Sequence, residues 1–163
     1  MRVLFLCTGN SARSILAEAT LRHLDRGANR FEALSAGSHP KGEVHPLALS
    51  VLERAGIATA GLRSKPWDEF AGTTALDFVF TVCDQAAGES CPFWPGQPIT
   101  AHWGLPDPAS VQGDELARFQ AFFETWVALK RRIEIFLSLP FDRLERASIH
   151  QQLEQIGKLE ASS

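Results

Sequence analysis

Apolar residues crowd positions 2–7 (RVLFLC) in a nearly continuous run, the pattern of a short strand buried on both faces. The polar stretch 8–14 (TGNSARS) interrupts it. Helical spacing then sets in with ILAEATLRHLD, placing Ile15, Leu16, Ala19 and Leu24 on one face and turning Glu18 and Arg22 elsewhere. Residues 31–35 (FEALS) read as a second strand closed by Ala36 and Gly37, and 46–55 as a helix that stops at Gly56. A loop with one short helical turn, LRSKPWDEF, leads to a third strand over 76–82 that ends at Cys83. Residues 84–113 are rich in Gly and Pro, with a short strand near 99–102. The longest helical pattern covers 114–137, with Leu116, Phe119, Phe122, Phe123, Trp126, Leu129 and Ile133 as its core stripe, and Pro140 ends it. From Phe141 the chain is polar and reads as loose or as one further short helix.

Strands alternating with helices predict an α/β domain, a parallel sheet with helices on both faces. Such sheets bind ligands beyond the carboxyl ends of their strands, at a topological switch point. Cys7 and Cys83 both fall at such ends.

Composition narrows the function without naming it. The chain has 163 residues, enough for one domain with a real core, and 45% hydrophobic and 21% charged residues, ordinary for a globular protein. A net charge of -3 gives no basic footprint for nucleic acid or an anionic membrane. The opening MRVLFLCTGN is too short for a signal segment and no apolar run reaches spanning length, so the expected location is cytoplasmic. Three cysteines in a cytoplasmic chain read either as reactive thiols or as small buried hydrophobes. The histidines His39, His45, His102 and His150 show no ligand spacing with them, and no metal is assigned.

Chemistry concentrates in 7–14. Cys7 and Arg13 bracket Thr8, Gly9, Asn10, Ser11 and Ala12 between a strand and a helix. A loop of this length can turn successive N–H groups inward as an anion nest at the positive end of the helix. Gly9 and Asn10 tolerate left-handed backbone angles. Arg13 offers a two-pronged fork to a tetrahedral anion. The same field favours the thiolate of Cys7, and Ser14 is placed to donate to the sulfur. These residues read as a nucleophile inside an oxyanion cradle.

VLFLCTGNSARSILAE, followed in order by LSAG (34–37), TVCDQA (81–86), CPFWPG (91–96) and AHWGLPDP (101–108), resembles the low-molecular-weight protein tyrosine phosphatase superfamily, which includes a branch of arsenate reductases. The resemblance covers 1–138 and leaves 139–163 as a C-terminal tail. It implies a three-layer fold with a four-stranded parallel sheet flanked by helices. It also assigns Asp107, ahead of Pro108, as the general acid, a role its sequence context alone does not signal.

CTGNSxRS, CDQAAGESCPFWPG and HWGLPDP resemble the reductase branch more closely. Ala109 and Ser110 follow the Asp-Pro where phosphatases commonly carry tyrosines, and the chain has no tyrosine. The implied reaction is reduction of arsenate through a Cys7–arsenic adduct and a Cys7, Cys83, Cys91 disulfide relay, recharged by an external thiol reductant, thioredoxin or a glutaredoxin-type protein, with no bound cofactor. Cys83 and Cys91 as mere structural thiols would instead leave a phosphatase of phosphotyrosine or small phosphoesters. A non-catalytic anion-binding or redox-sensing module is the third reading. Ala12 stands where several reductases carry a further cysteine outside this relay. Some relatives hold potassium near the loop. Asn10, Glu18 and Ser35 match that site, but Lys65 stands in the segment that normally completes it with a carboxylate, so its ammonium is expected in the ion's place or, alternatively, in solvent.

Overall fold

Four parallel strands form the sheet: β1 (Arg2–Cys7), β2 (Glu32–Gly37), β3 (Phe78–Thr81) and β4 (Ile99–His102), in the order β2-β1-β3-β4. The computed structural model describes residues 1–72, 75–83, 94 and 96–159. β1 is central. The chain leaves it to build β2 on one side and returns to build β3 on the other, so the switch point lies at the carboxyl end of β1, where Cys7 sits.

Alternation along β1 decides what covers each face. Val3 and Phe5 enter the large core with residues from all four described α-helices: α1 (Arg13–Leu24), α2 (Pro46–Arg54), α3 (Glu115–Ser138) and α4 (Arg146–Gly157). Leu4 and Leu6 face a smaller cluster with Phe70, Leu76, Val79 and Trp94. Among the described residues that second face is covered by this cluster and the short 3-10 turn Trp67–Glu69, not by an α-helix.

Two expected faces need correction. α1 is buried nearly all round, from Ser14 to Leu21, and Glu18 is only 4% exposed instead of turned away from the core. The cause is its position, packed on β1 and β2 beneath α2 and α3. In α3 the buried positions are Phe122, Thr125, Ala128, Leu129, Arg132, Ile133 and Phe136, while Leu116 and Phe123 are exposed. Successive helical residues lie about 100° apart, so Phe122 and Phe123 do not share one narrow stripe.

The tail folds back onto the sheet. Ile149, Leu153 and Ile156 of α4 are buried, and Trp103 Nε1, just after β4, donates to Leu153 O at 3.0 Å. A Cβ on Gly157 would stand 2.1 Å from His102 O, so only glycine allows this approach. Trp103 itself is fully buried, stacked on Phe80 with ring centroids 3.9 Å apart. No helix among the described residues is long and apolar enough to cross a membrane.

Candidate active site

Between Cys7 and the start of α1 at Arg13 the chain reverses tightly, with Asn10 at φ +42. Asn10, not Gly9, takes the left-handed conformation. Gly9 matters for a different reason: the Lys41 side chain lies across it, and a Cβ there would be 3.2 Å from Lys41 Cε. The Asn10 side chain holds the turn from within. Its Nδ2 donates to Ser14 Oγ (2.7 Å) and Ser35 Oγ (3.0 Å), and its Oδ1 accepts from Lys65 N (2.9 Å).

The loop's carbonyls are drawn outward by its neighbours. His39 N donates to Thr8 O, Lys41 N to Gly9 O and His45 N to Ser11 O, each at 2.9 Å, and Ser64 Oγ adds a bond to Gly9 O. The amides of Asn10, Ser11, Ala12 and Arg13 have no acceptor among the described residues, which leaves them available to an anion. They line a cavity of about 250 Å³ bounded by residues 7–13, His39, Lys41, His45, Asp107 and Ala109. Ser14 is not in that lining. It is wholly buried behind the loop, committed to Asn10, and so supports the cradle instead of touching the anion or the sulfur.

Arg13 and Asp107 stand together at the cavity. Arg13 Nη1 donates to Leu105 O at 2.7 Å, and Nη2 is 4.0 Å from Asp107 Oδ1. That carboxylate oxygen also accepts from Ala109 N at 2.9 Å, which fixes Asp107 as the cap of the turn Pro108–Ser110.

Both described cysteines are buried free thiols, Cys7 at the end of β1 and Cys83 two residues beyond β3. Cys83 Sγ accepts from Thr8 N at 3.4 Å and lies 3.6 Å from Thr8 Oγ1. Its thiol shares a hydrogen bond with Cys7, and this, followed by burial, holds the Cys7 proton well above the ordinary thiol range against the opposing pull of Arg13 and the Gly9 N–H. Burial and the neighbouring Cys83 thiol thus oppose the thiolate expected for Cys7 from its place at the helix start. Cys91 lies outside the described residues.

Behind the loop sits a buried ionic cluster. Lys65 Nζ reaches Arg63 O (2.9 Å), Ser35 Oγ (3.2 Å) and Glu18 Oε1 (3.5 Å). Ser35 Oγ donates to Glu18 Oε1 at 2.5 Å, and Glu18 Oε2 accepts from Arg22 at 2.6 Å. Lys65 is 6% exposed, and burial lowers its affinity for a proton while Glu18 restores part of it.

Sequence reasoning missed the loop HPKGEVH as a wall of the cavity. The available signal was its place after β2, whose carboxyl end meets the same switch point. His45 caps α2 through Nδ1, which accepts from Leu47 N, and burial, Arg118 and Lys41 bias it towards the neutral form. Gly37 was also missed as part of the site: a Cβ there would lie 2.5 Å from Thr8 O and 3.0 Å from Asn10 N.

Comparison with known proteins agrees with this geometry. The family model for low molecular weight phosphotyrosine protein phosphatase matches residues 2–150. An arsenate reductase of Shouchella clausii is 34% identical over 134 residues, covering 82% of this chain and 93% of that protein. A glutaredoxin arsenate reductase of Synechocystis is 34% identical over 107 residues, 66% of this chain and 78% of that one. Among solved structures, an arsenate reductase in the phosphate binding state superposes with a TM-score of 0.68 at 29% identity, covering 84% of this chain and 96% of its own. A thioredoxin-dependent arsenate reductase of Corynebacterium glutamicum gives 0.54 at 28% identity, over 82% and 62%. The chain belongs to the low molecular weight phosphotyrosine protein phosphatase family, on the branch of its arsenate reductase relatives.

Proposed function

We propose that this protein reduces arsenate to arsenite in the cytoplasm, with electrons from its own thiols and then from a dithiol protein of the thioredoxin type. The observation that carries this reading is a second buried free thiol, Cys83, set against the loop that begins at Cys7, where its Sγ accepts from Thr8 N at 3.4 Å. Hydrolysing a phosphoester needs one thiol. A second thiol held on the nucleophile is what a two-electron reduction requires.

The steps balance as follows. Arsenate is held by the amides of Asn10, Ser11, Ala12 and Arg13 and by the Arg13 side chain, which leaves Leu105 O for the anion. Cys7 Sγ passes its proton to an arsenate oxygen and attacks arsenic(V), and water departs with a proton from Asp107. Cys83 then passes its proton to an arsenic-bound oxygen of the adduct and attacks Cys7 Sγ. A Cys7–Cys83 disulfide forms, the sulfur–arsenic bond breaks, and its electron pair stays on arsenic, which leaves as arsenite. Cys91 then attacks Cys83 Sγ, returning Cys7 as the thiol, and the external dithiol reduces the Cys83–Cys91 disulfide by exchange.

The test is arsenate-dependent NADPH consumption with thioredoxin and its reductase, run beside a glutaredoxin system and beside hydrolysis of p-nitrophenyl phosphate. Turnover of arsenate with either dithiol system supports the reductase and identifies its reductant. Brisk ester hydrolysis with no arsenate turnover would place the protein with the phosphatases, since Cys7, Arg13 and Asp107 suffice for that reaction.

The Lys65 ammonium among Glu18, Ser35 and the backbone supports independence from potassium, because a fixed cation already serves those oxygens. Turnover is expected to be the same in potassium and sodium chloride at equal ionic strength. A clear rate increase specific to potassium would refute it.

A further inference from the structure

Arg132 carries a charge in a place where charge is costly. It lies in the C-terminal half of α3, is 3% exposed, and has no carboxylate within ion-pair distance among the described residues. Burial weakens its hold on its proton. Among the described residues every polar contact it makes goes to a backbone carbonyl: Nη1 to Trp103 O at 2.7 Å and Gly104 O at 3.4 Å, and Nη2 to Leu159 O at 2.8 Å. A methionine or leucine would fill the space at lower cost, so the guanidinium answers a need for donors at those three carbonyls.

The first two belong to the chain that leads from β4 to Asp107. On its other side that strap is tied to the end of β3, Trp103 N to Thr81 O at 2.7 Å and Leu105 N to Val82 O at 3.2 Å. Leu105 O in turn receives Arg13. The third carbonyl lies just beyond α4, which is itself fastened to the strap by Trp103 Nε1 on Leu153 O and by the close approach of Gly157 to His102 O.

We propose that Arg132 is a positioning residue for the reaction: by clamping residues 103 and 104 to α3 and to the C-terminal helix, it sets Asp107 and the carbonyl that parks Arg13. The C-terminal helix is thereby a working part of the acid loop. This rests on the role given to Asp107 above. Placement errors of about 1 Å cost up to about a hundredfold in rate, and a strap that keeps its β3 ties loses less.

A double-mutant cycle tests it, because coupling to Asp107 is something a merely structural role would not produce. Single-turnover arsenite formation and p-nitrophenyl phosphate hydrolysis are measured for the parent protein, Arg132→Gln, Asp107→Asn and the double variant, each normalised to titratable Cys7. Arg132→Gln is expected to slow both reactions roughly tenfold in the parent background and less than about twofold when Asp107 is already Asn. Arg132→Lys, which keeps the charge but fewer donors, provides the cycle if Gln does not fold, with a smaller loss and the same dependence on Asp107. Equal slowing in both backgrounds, or a fall in thermal stability with no change in rate, overturns the proposal. An unchanged rate in Asp107→Asn alone removes the acid itself, and the proposal falls with it, while arsenate turnover by the parent would still stand.

Discussion

Replacing Cys83 with serine is expected to lower arsenate turnover by at least roughly a thousandfold while p-nitrophenyl phosphate hydrolysis stays within a few-fold of the parent rate. The two outcomes diverge because the substitution separates two uses of one pocket. Serine keeps the size of the side chain and offers Cys7 a hydrogen-bond partner, so the cavity, Arg13 and Asp107 remain as they are. It also removes the neighbouring ionisable thiol whose hydrogen bond heads the causes that hold the Cys7 proton high, which favours the Cys7 thiolate. A hydroxyl forms no disulfide, however, and the Cys7–arsenic adduct then has no internal electron donor. Single-turnover arsenite release, followed together with ester hydrolysis, is the measurement. Sustained arsenate turnover in Cys83→Ser would mean that an external thiol attacks the adduct directly, and the internal relay would be discarded.

The nucleophile was legible because three local patterns coincide within a few residues: an apolar strand, a C-x5-R loop and a helical period that starts at once. Local patterns do not report partners far apart in the chain. Cys83 was placed at a strand end by sequence, but its contact with Cys7 depends on β1 and β3 being neighbours in register, Leu6 opposite Thr81. The wall contributed by His39, Lys41 and His45 depends likewise on three backbone bonds to the loop, and backbone bonds leave little trace in side-chain identity. Asp107 is the sharpest case. Its sequence context is that of any turn-forming Asp-Pro, and the fold alone brings it to 4.0 Å from Arg13.

Burial of charge was the least legible feature. Amphipathic reasoning assumes that a carboxylate marks the solvent face, and Glu18 breaks that assumption because Lys65 and Ser35 reach it inside the protein. Arg132 breaks it in the same way on α3, where its position in the helical period is right for the core and only its chemistry is not. Both exceptions support the site: one lies behind the oxyanion loop and the other under the acid loop. Polar residues bought at the expense of core packing are found here where backbone geometry has to be held.

Glu18→Gln is expected to destabilise the protein by about 3 kcal/mol, because removing one partner of a buried ion pair strands the other. For a chain of this length that corresponds to a fall in Tm of roughly 6–12 °C. Gln still accepts from Ser35, and Arg22 is half-exposed and keeps its water, so the loss falls on Lys65, left charged with only Ser35 Oγ and Arg63 O. The pH dependence follows from the sign of the shift. Lys65 already binds its proton less tightly in the folded protein than in the unfolded chain, and Glu18 is the group that opposes this. Between the two pKa values the unfolded state holds more protons, so stability rises with pH there. Without Glu18 the folded pKa drops further and that window widens downwards. The deficit of Glu18→Gln should therefore be largest below the Lys65 folded pKa and shrink as pH rises through it. Removing the stranded charge should also relieve it: Glu18→Gln combined with Lys65→Met is expected to melt above Glu18→Gln alone. Thermal melts of the single and double variants across neutral and alkaline pH decide the matter. A double variant no more stable than Glu18→Gln, with a deficit flat in pH, would show that the loss comes from packing around residue 18 and not from an uncompensated ammonium at Lys65.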